Sequence, residues 1–266
     1  MINVHFKKVL FKFDTLGLIL PVFILVLWSL LPLIYQIPHY QLPSIVDCFF
    51  VSIDYLFGNL HLTSYSGQFI MHSSYSLLRV LFGFIVAGIL GVPFGILSGY
   101  YPLINRTVSP FIHFLRMIPG IAWLPLTLLW FGTGSKSTQF LISLAAFFPI
   151  YVNTVLAVKE IPKEYLDEAK LICIHELQIL LKIIVPLSLN TILTGLRLGL
   201  GLCWAYLVLG EMTGVNYGIG AVMMDARMLG NIDIVLVSMI TIAIWGKLTD
   251  VLLQFIATLL LNNDYL

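Results

Sequence analysis

Nine of the 27 charged side chains in this 266-residue chain, Lys159, Glu160, Lys163, Glu164, Asp167, Glu168, Lys170, Glu176 and Lys182, fall between Lys159 and Pro186. They form the one long polar interruption in an otherwise apolar second half, and a membrane-embedded chain that exposes such a patch has something to dock there. Pro162 lacks a backbone donor and suits the first turn of a helix, while Glu164, Asp167 and Glu168 place negative charge near that helix's positive end. The pattern predicts a short surface helix. Leu166, Ala169 and Cys173 fall at i, i+3 and i+7 and give a narrow apolar stripe, wide enough to sit in a partner's groove. On composition alone, a solvated loop is the alternative.

Charges inside apolar runs are the second chemistry-bearing set, because an ionised group is costly in hydrocarbon and faces a bundle interior or an aqueous path. Arg79, Arg116, Arg197, Lys247 and Asp250 are of this kind. Lys247 and Asp250 are three apart on one helix and can neutralise each other. Arg197 has two readings: a structural pair with Asp250 or backbone carbonyls, or a source of positive potential along the path of an anionic solute. Arg116 and Pro119 lie in a proline-broken run and are candidates for the same path. Glu211 reads as an ordinary interfacial acid, or as an outer-gate or receptor contact.

Enzyme chemistry finds no support in the spacing. There is no GxxxxGK[ST] phosphate cradle, and the Gly246-Lys247 pair is followed by leucine inside an apolar run. The six histidines show no HxxxH or HExxH spacing, and no GxSxG nucleophile context occurs. No catalytic residue, metal site or cofactor is expected on this chain.

The elements that would position these groups follow from composition. With 59% hydrophobic and 10% charged residues and a mean hydropathy of +0.99, a water-soluble fold would leave too much apolar surface wet. The expectation is an all-α integral membrane protein with about six transmembrane helices. A net charge of +1 gives no special attraction to nucleic acid. The three cysteines, odd in number and far apart, imply neither a disulfide framework nor a metal site.

Residues 1–15 form an amino-terminal segment, and Leu16–Tyr35, within residues 16–36, is long enough to cross a bilayer of roughly 30 Å. No small-residue cleavage site follows at Ile34 to Pro38, so this reads as a retained first span. Residues 37–74 form a connection in which Ser44, Asp47 and Asp54 mark one side of an interfacial helix and Ile45, Val46, Phe49, Phe50, Ile53 and Leu56 crowd the other. Gly58 and Asn59 supply its stop signal.

A five-helix core is expected over residues 75–261, with a tail at 262–266. The span from about Tyr75 to Gly99 carries Ala87, Gly91, Gly95 and Gly99, a small residue at every fourth position, which lets a neighbouring helix approach closely in lipid. Val108–Phe131 is made irregular by Pro110, Pro119 and Pro125, whose freed backbone must be satisfied by protein or by a wet cavity. Thr138–Val158 follows. The fifth span, about Leu187–Leu209, has Gly195 and Gly199 four apart. Gly210–Asp233 is a loop or half-entering segment, and Ile234 to about Leu261 is the last span. With a cytoplasmic amino terminus, Lys7, Lys8, Lys12, Arg106, Lys159, Lys163, Lys170 and Lys182 fall inside against Lys136 and Arg227 outside, the bias expected of inner loops.

Glu168-Ala169, with Pro186 eighteen residues beyond Glu168, resembles the EAA loop of permease subunits of binding-protein-dependent ABC importers. LRMIPGIAWLPLTLLWFGTG from Leu115 is similar to the third-span signature of the nitrate, taurine and alkanesulfonate branch, through Arg116, Pro119, Ala122, Trp123, Pro125, Leu126, Trp130, Phe131 and Gly132. Ser76 to Leu81, Phe147-Phe148-Pro149 and Gly195-Leu196-Arg197 extend the likeness from about Leu42 to Asp250. The resemblance implies a MetI-like transmembrane fold. It also implies a coupling helix that docks on an ATPase through Glu164, Asp167, Glu168, Ala169, Lys170, Ile174 and Pro186. Lys170 stands where the family usually has a second alanine and Ile174 where it has a glycine. Because isoleucine avoids positive φ, a straighter turn is expected there.

The implied partners are a second permease copy, cytoplasmic ATPase subunits that bind ATP and magnesium, an external solute-binding protein and the bilayer of a bacterial inner membrane. Both termini are expected in the cytoplasm. The implied function is alternating-access import of a small anion such as a sulfonate, taurine or nitrate. A secondary transporter or channel driven by an ion gradient is the competing reading and would need paired discontinuous spans with midplane carboxylates. Only Asp250 approaches that description. A scaffold without transport activity is the third reading.

Overall fold

The structure is a computed structural model that describes residues 15–35, 38, 41–172 and 174–263; Lys7, Lys8, Lys12, Cys173 and the tail after Asn263 lie outside the described residues. All regular structure among the described residues is helical: α1 Thr15–Tyr35, α2 Ile45–Phe57, α3 Phe69–Tyr100, α4 Pro102–Leu115, a 3₁₀ turn Gly120–Trp123, α5 Leu124–Phe131, α6 Ser135–Lys159, α7 Lys163–Leu171, α8 Glu176–Ile179, a π turn Leu180–Ile184, α9 Val185–Glu211, α10 Ile219–Met228 and α11 Ile232–Asn263. The chain divides into two compact units, Met1–His72 with Val222–Ala243, and Ser73–Ala221 with Ile244–Leu266.

Four helical runs are long and apolar enough to cross a membrane: Phe69–Tyr100, Ser135–Lys159, Glu176–Glu211 and Ile232–Leu259. The expected third span is not one rod. Pro102–Leu115 and Gly120–Phe131 meet at 89°, because the ring of Pro119 and its missing N–H stop the helix from running through. Counted as one span, this bent pair makes five. The sixth apolar run is α1, a 21-residue helix about 32 Å long. Nearly every described side chain on it is exposed, as lipid-facing residues are; Trp28 is partly covered and its indole donates to the Pro43 carbonyl at 3.0 Å.

In the first unit, α2 departs from the amphipathic expectation. Ser44 caps it, accepting from the Asp47 N–H at 3.1 Å, and Gly58 ends it at φ 71°. Its inward face is Cys48, Val51, Asp54 and Tyr55, whereas Val46, Phe49, Phe50 and Phe57 are exposed. Asp54 is fully buried, and its carboxylate accepts the N–H groups of Leu60 and His61 at 2.9 and 2.8 Å and of Leu62 and Thr63 at 2.9 and 3.4 Å, together with the Ser66 hydroxyl. It is the organiser of the following loop. Burial raises its pKa, but the Ser66 hydroxyl and the N–H groups of Leu60, Leu62 and His61 outweigh that and hold it below the usual carboxylate range.

In the second unit α6 is the central rod. Gly91, Gly95 and Gly99 on α3 lie against Ile150, Thr154 and Val158 of α6, where an added Cβ would stand 2.8, 2.5 and 2.6 Å from those side chains. Ala87 is buried on the same face, and Gly83, one step earlier in the same period, meets Ile142. From α9, Gly195 and Gly199 lie against Asn153 and Ile150. Small residues on both neighbours thus let backbones close on α6, where dispersion contacts hold helices together in lipid.

The fifth span starts earlier than expected. Pro186 does not close the polar segment but sits in the first turn of α9, inside the continuous run Glu176–Glu211. The π turn just before it absorbs the hydrogen bond that proline cannot make and the clash of its ring with the preceding turn. The expected linker after Glu211 contains a ten-residue helix, α10.

Candidate functional site

Three arrangements in the second unit bear on function: the polar segment around α7, a buried ion pair at the end of α9, and a cavity at the break between α4 and α5.

α7 starts directly after Pro162 and carries Glu164, Asp167 and Glu168 on its exposed side, beside Tyr165 and Leu171. Its apolar stripe does not face a partner. Ala169 is buried in a cluster with Val158, Ile161, Ile179, Leu180 and Ile184, and Leu166 and Ile174 pack against the same cluster. The surface left for docking is therefore acidic with a hydrophobic end, Leu171 and Ile172, which are 81% and 71% exposed. The Lys170 side chain lies outside the described residues.

The chain turns from α7 into α8 with no positive φ at Ile174. The Ile174 N–H instead reaches back to the Ala169 carbonyl at 3.1 Å, and the Ile172 N–H to Glu168 at 3.2 Å, closing the last turn without glycine. His175 caps α8 by accepting from the Leu177 N–H at 3.3 Å. The Tyr101 hydroxyl donates to Glu176 at 3.0 Å, and that carboxylate pushes the phenol's pKa up.

At the far end of α9, Glu211 is buried, not interfacial, so no receptor can touch it in this conformation. Arg79 Nη1 donates to its Oε1 at 2.6 Å, the Ser76 hydroxyl lies 2.8 and 2.9 Å from its two oxygens, and the Gly220 N–H donates to Oε2 at 2.8 Å. Arg79 also donates to the Tyr217 carbonyl at 2.6 Å and, through Nε and Nη2, to the Ser135 hydroxyl at 3.1 and 3.0 Å. A Cβ on Gly218, at φ 150°, would overlap the Glu211 carboxylate, so glycine is needed to let the loop close over it. The partners on all sides offset the desolvation that makes buried ion pairs costly. Arg79 and Glu211 each stand out in the sequence, but their separation of 132 positions gives no sign of the pairing.

Arg197 forms a two-point ion pair with Asp250, Nε to Oδ1 at 2.8 Å and Nη2 to Oδ2 at 3.2 Å, and Gln254 adds a third bond to Asp250 at 2.8 Å. Asp250 thus has Arg197 as its close partner across helices, the structural-pair reading of Arg197, in place of Lys247 along its own helix.

Arg116 and Pro119 line a cavity of about 460 Å³ together with Trp123, Phe148, Pro149 and Tyr206. The broken helix forms one wall and α6 and α9 the others. No group of three or more His, Cys, Asp or Glu able to hold a metal occurs among the described residues.

Residues 91–261 match the model of a family described as binding-protein-dependent transport system inner membrane component. The chain is 37% identical over 257 residues to a putative ABC transporter permease protein of Methanocaldococcus jannaschii, covering 95% of this chain and 94% of that one. It is 34% identical to a putative aliphatic sulfonates transport permease protein of Bacillus subtilis, over 94% and 88% of the two chains. Among solved structures, an inward-facing methionine ABC transporter matches with a TM-score of 0.60 at 20% identity, over 71% of this chain and 93% of that one, which is a likeness of fold.

Proposed function

This chain belongs to the family of inner membrane components of binding-protein-dependent transport systems, as an ABC importer permease of the MetI type, and we propose that it forms the path of a small anionic solute and is driven through α7 by a separate cytoplasmic ATPase. The observation that carries this reading is the construction of α7. Its acidic face is free, while Ala169 on its other side shares one buried cluster with Ile179, Leu180 and Ile184 at the base of the run Glu176–Glu211. Close-packed side chains transmit displacement rather than absorb it. A push on α7 is therefore handed to the helix that carries Arg197 and Glu211.

In this reading the ATPase holds ATP and magnesium, an external binding protein delivers the solute, and a second permease copy completes the path. α7 and both termini face the cytoplasm. The ATPase can shift the inward and outward states only by gripping α7 more tightly in one of them. An anion fits the charge balance, since Glu211 and Asp250 are each neutralised by an arginine while Arg116 keeps its charge uncompensated. The sulfonate permease among the relatives is in line with that.

The test uses the assembled transporter in proteoliposomes. Glu168→Lys and Leu171→Asp each lower uptake and the stimulation of ATP hydrolysis by loaded binding protein by about tenfold, equivalent to roughly 1.4 kcal/mol of lost coupling, with insertion into the membrane intact. Unaltered coupling in both variants overturns the assignment of α7.

A further inference from the structure

We infer that the cavity at the break between α4 and α5 is a binding site for one organic anion, its oxyanion head held by Arg116, Trp123 and Tyr206 and its apolar body lying on Leu141, Phe148 and Leu202. This deepens the proposed solute path and rests on it. The three polar groups have unspent donors. The Arg116 side chain makes no hydrogen bond or ion pair among the described residues, unlike those of Arg79 and Arg197, which are paired with Glu211 and Asp250. The Trp123 indole N–H is buried with no acceptor. The Tyr206 hydroxyl likewise has no partner among the described residues.

Of the three, the Trp123 N–H is the buried one, Arg116 being exposed and Tyr206 half-buried; buried donors are rarely left orphaned, and those that are call for a missing partner. That partner is an acceptor, and a negative one also serves the neighbouring Arg116 guanidinium, which no carboxylate in the cavity lining balances. Arginine presents a planar fork that matches an oxyanion at two points.

Size and lining narrow the ligand further. At about 460 Å³ the cavity falls within the roughly 300–1,000 Å³ of small-molecule sites. A bare inorganic oxyanion fills only a small part of that, on the order of one or two waters at ~30 Å³ each. Leucine and phenylalanine walls also reward an apolar body that such an ion lacks. Gly120 belongs to the same design: a Cβ there would overlap the Tyr206 ring, so glycine lets the phenol lie against the backbone of the break.

The assembled transporter in phosphatidylcholine nanodiscs tests the site by equilibrium binding of radiolabelled 1-butanesulfonate, with nitrate as competitor. Arg116→Gln weakens binding at least tenfold, Trp123→Phe and Tyr206→Phe each about threefold, and nitrate competes poorly. Copurification with the ATPase reports that each variant has assembled, and the two conservative variants keep the test decisive if Arg116→Gln does not. Unchanged affinity in Arg116→Gln, or in the Trp123→Phe/Tyr206→Phe double variant, overturns the site; equal competition by nitrate overturns the organic ligand. Loss of probe binding when phosphatidylglycerol replaces phosphatidylcholine assigns the cavity to a lipid headgroup and overturns its assignment to a solute. Failure of the α7 variants to uncouple, with probe binding still lost in Arg116→Gln, would count against the coupling reading and leave the site standing.

Discussion

Asp54 is the residue whose role most changes between sequence and structure. Its spacing with Ser44 and Asp47 pointed to a wet helix face, but a carboxylate can also turn inward when enough donors meet it. Four successive N–H groups and the Ser66 hydroxyl do so here. No periodicity in the sequence signals this, because the donors belong to a loop whose backbone must first be bent. His61 takes φ 51° within it. The pKa of Asp54 is lowered in the fold, so its stabilisation is full above the unfolded value of about 4 and is lost as pH falls through the lower folded value. Asp54→Asn keeps the shape but turns an amide donor toward N–H groups. It should cost on the order of 2 kcal/mol and remove the acid-dependent part of the protection of amides 60–63, as read by hydrogen exchange while pH is lowered from about 5 to about 2. Wild-type acid sensitivity in that variant would show that another group titrates.

The helices were legible where a period repeats and obscure where a single residue decides. The small residues Ala87, Gly91, Gly95 and Gly99 announced a close-packed face, and α6 lies on that face. Pro119 announced irregularity in the third span but not an 89° break, since proline's effect depends on whether neighbours straighten the chain or use the bend. Pro186 misled in the opposite direction, because a π turn accommodates it within a continuous helix. Glycines also differ sharply by environment. A Cβ at Gly95 would stand 2.5 Å from the Thr154 Cβ and 3.0 Å from the Tyr151 carbonyl, whereas one at Gly201 would meet nothing within 4 Å. Gly95→Ala should therefore destabilise by about 1–3 kcal/mol through overpacking, while Gly201→Ala should be neutral or stabilising by up to about 1 kcal/mol through helix propensity. Thermal unfolding of the detergent-solubilised chain measures both. Equal behaviour of the two would mean that α3 and α6 are not in contact at these positions.

At the level of the whole molecule, composition alone announced a membrane protein, and the motif residues around Arg116 and Glu168 pointed to the permease family that residues 91–261 match. The pairing of Arg197 with Asp250 was one of the two readings of Arg197, whereas that of Arg79 with Glu211 was less legible, since partners far apart in sequence meet only after the helices pack. Among the described residues, the Arg116 guanidinium at the broken helix stays outside these pairs, and an acidic knob stands at α7. In the proposed function, energy enters at α7 and solute passes the break. That requires α7 to be on the side where ATP is. The most direct measurement places a cysteine at exposed Leu171, in a chain whose three native cysteines are replaced by serine, and labels it with a membrane-impermeant maleimide. Labelling in inside-out vesicles, with protection when the ATPase subunit is bound, is the predicted result; labelling in right-side-out vesicles would contradict the account.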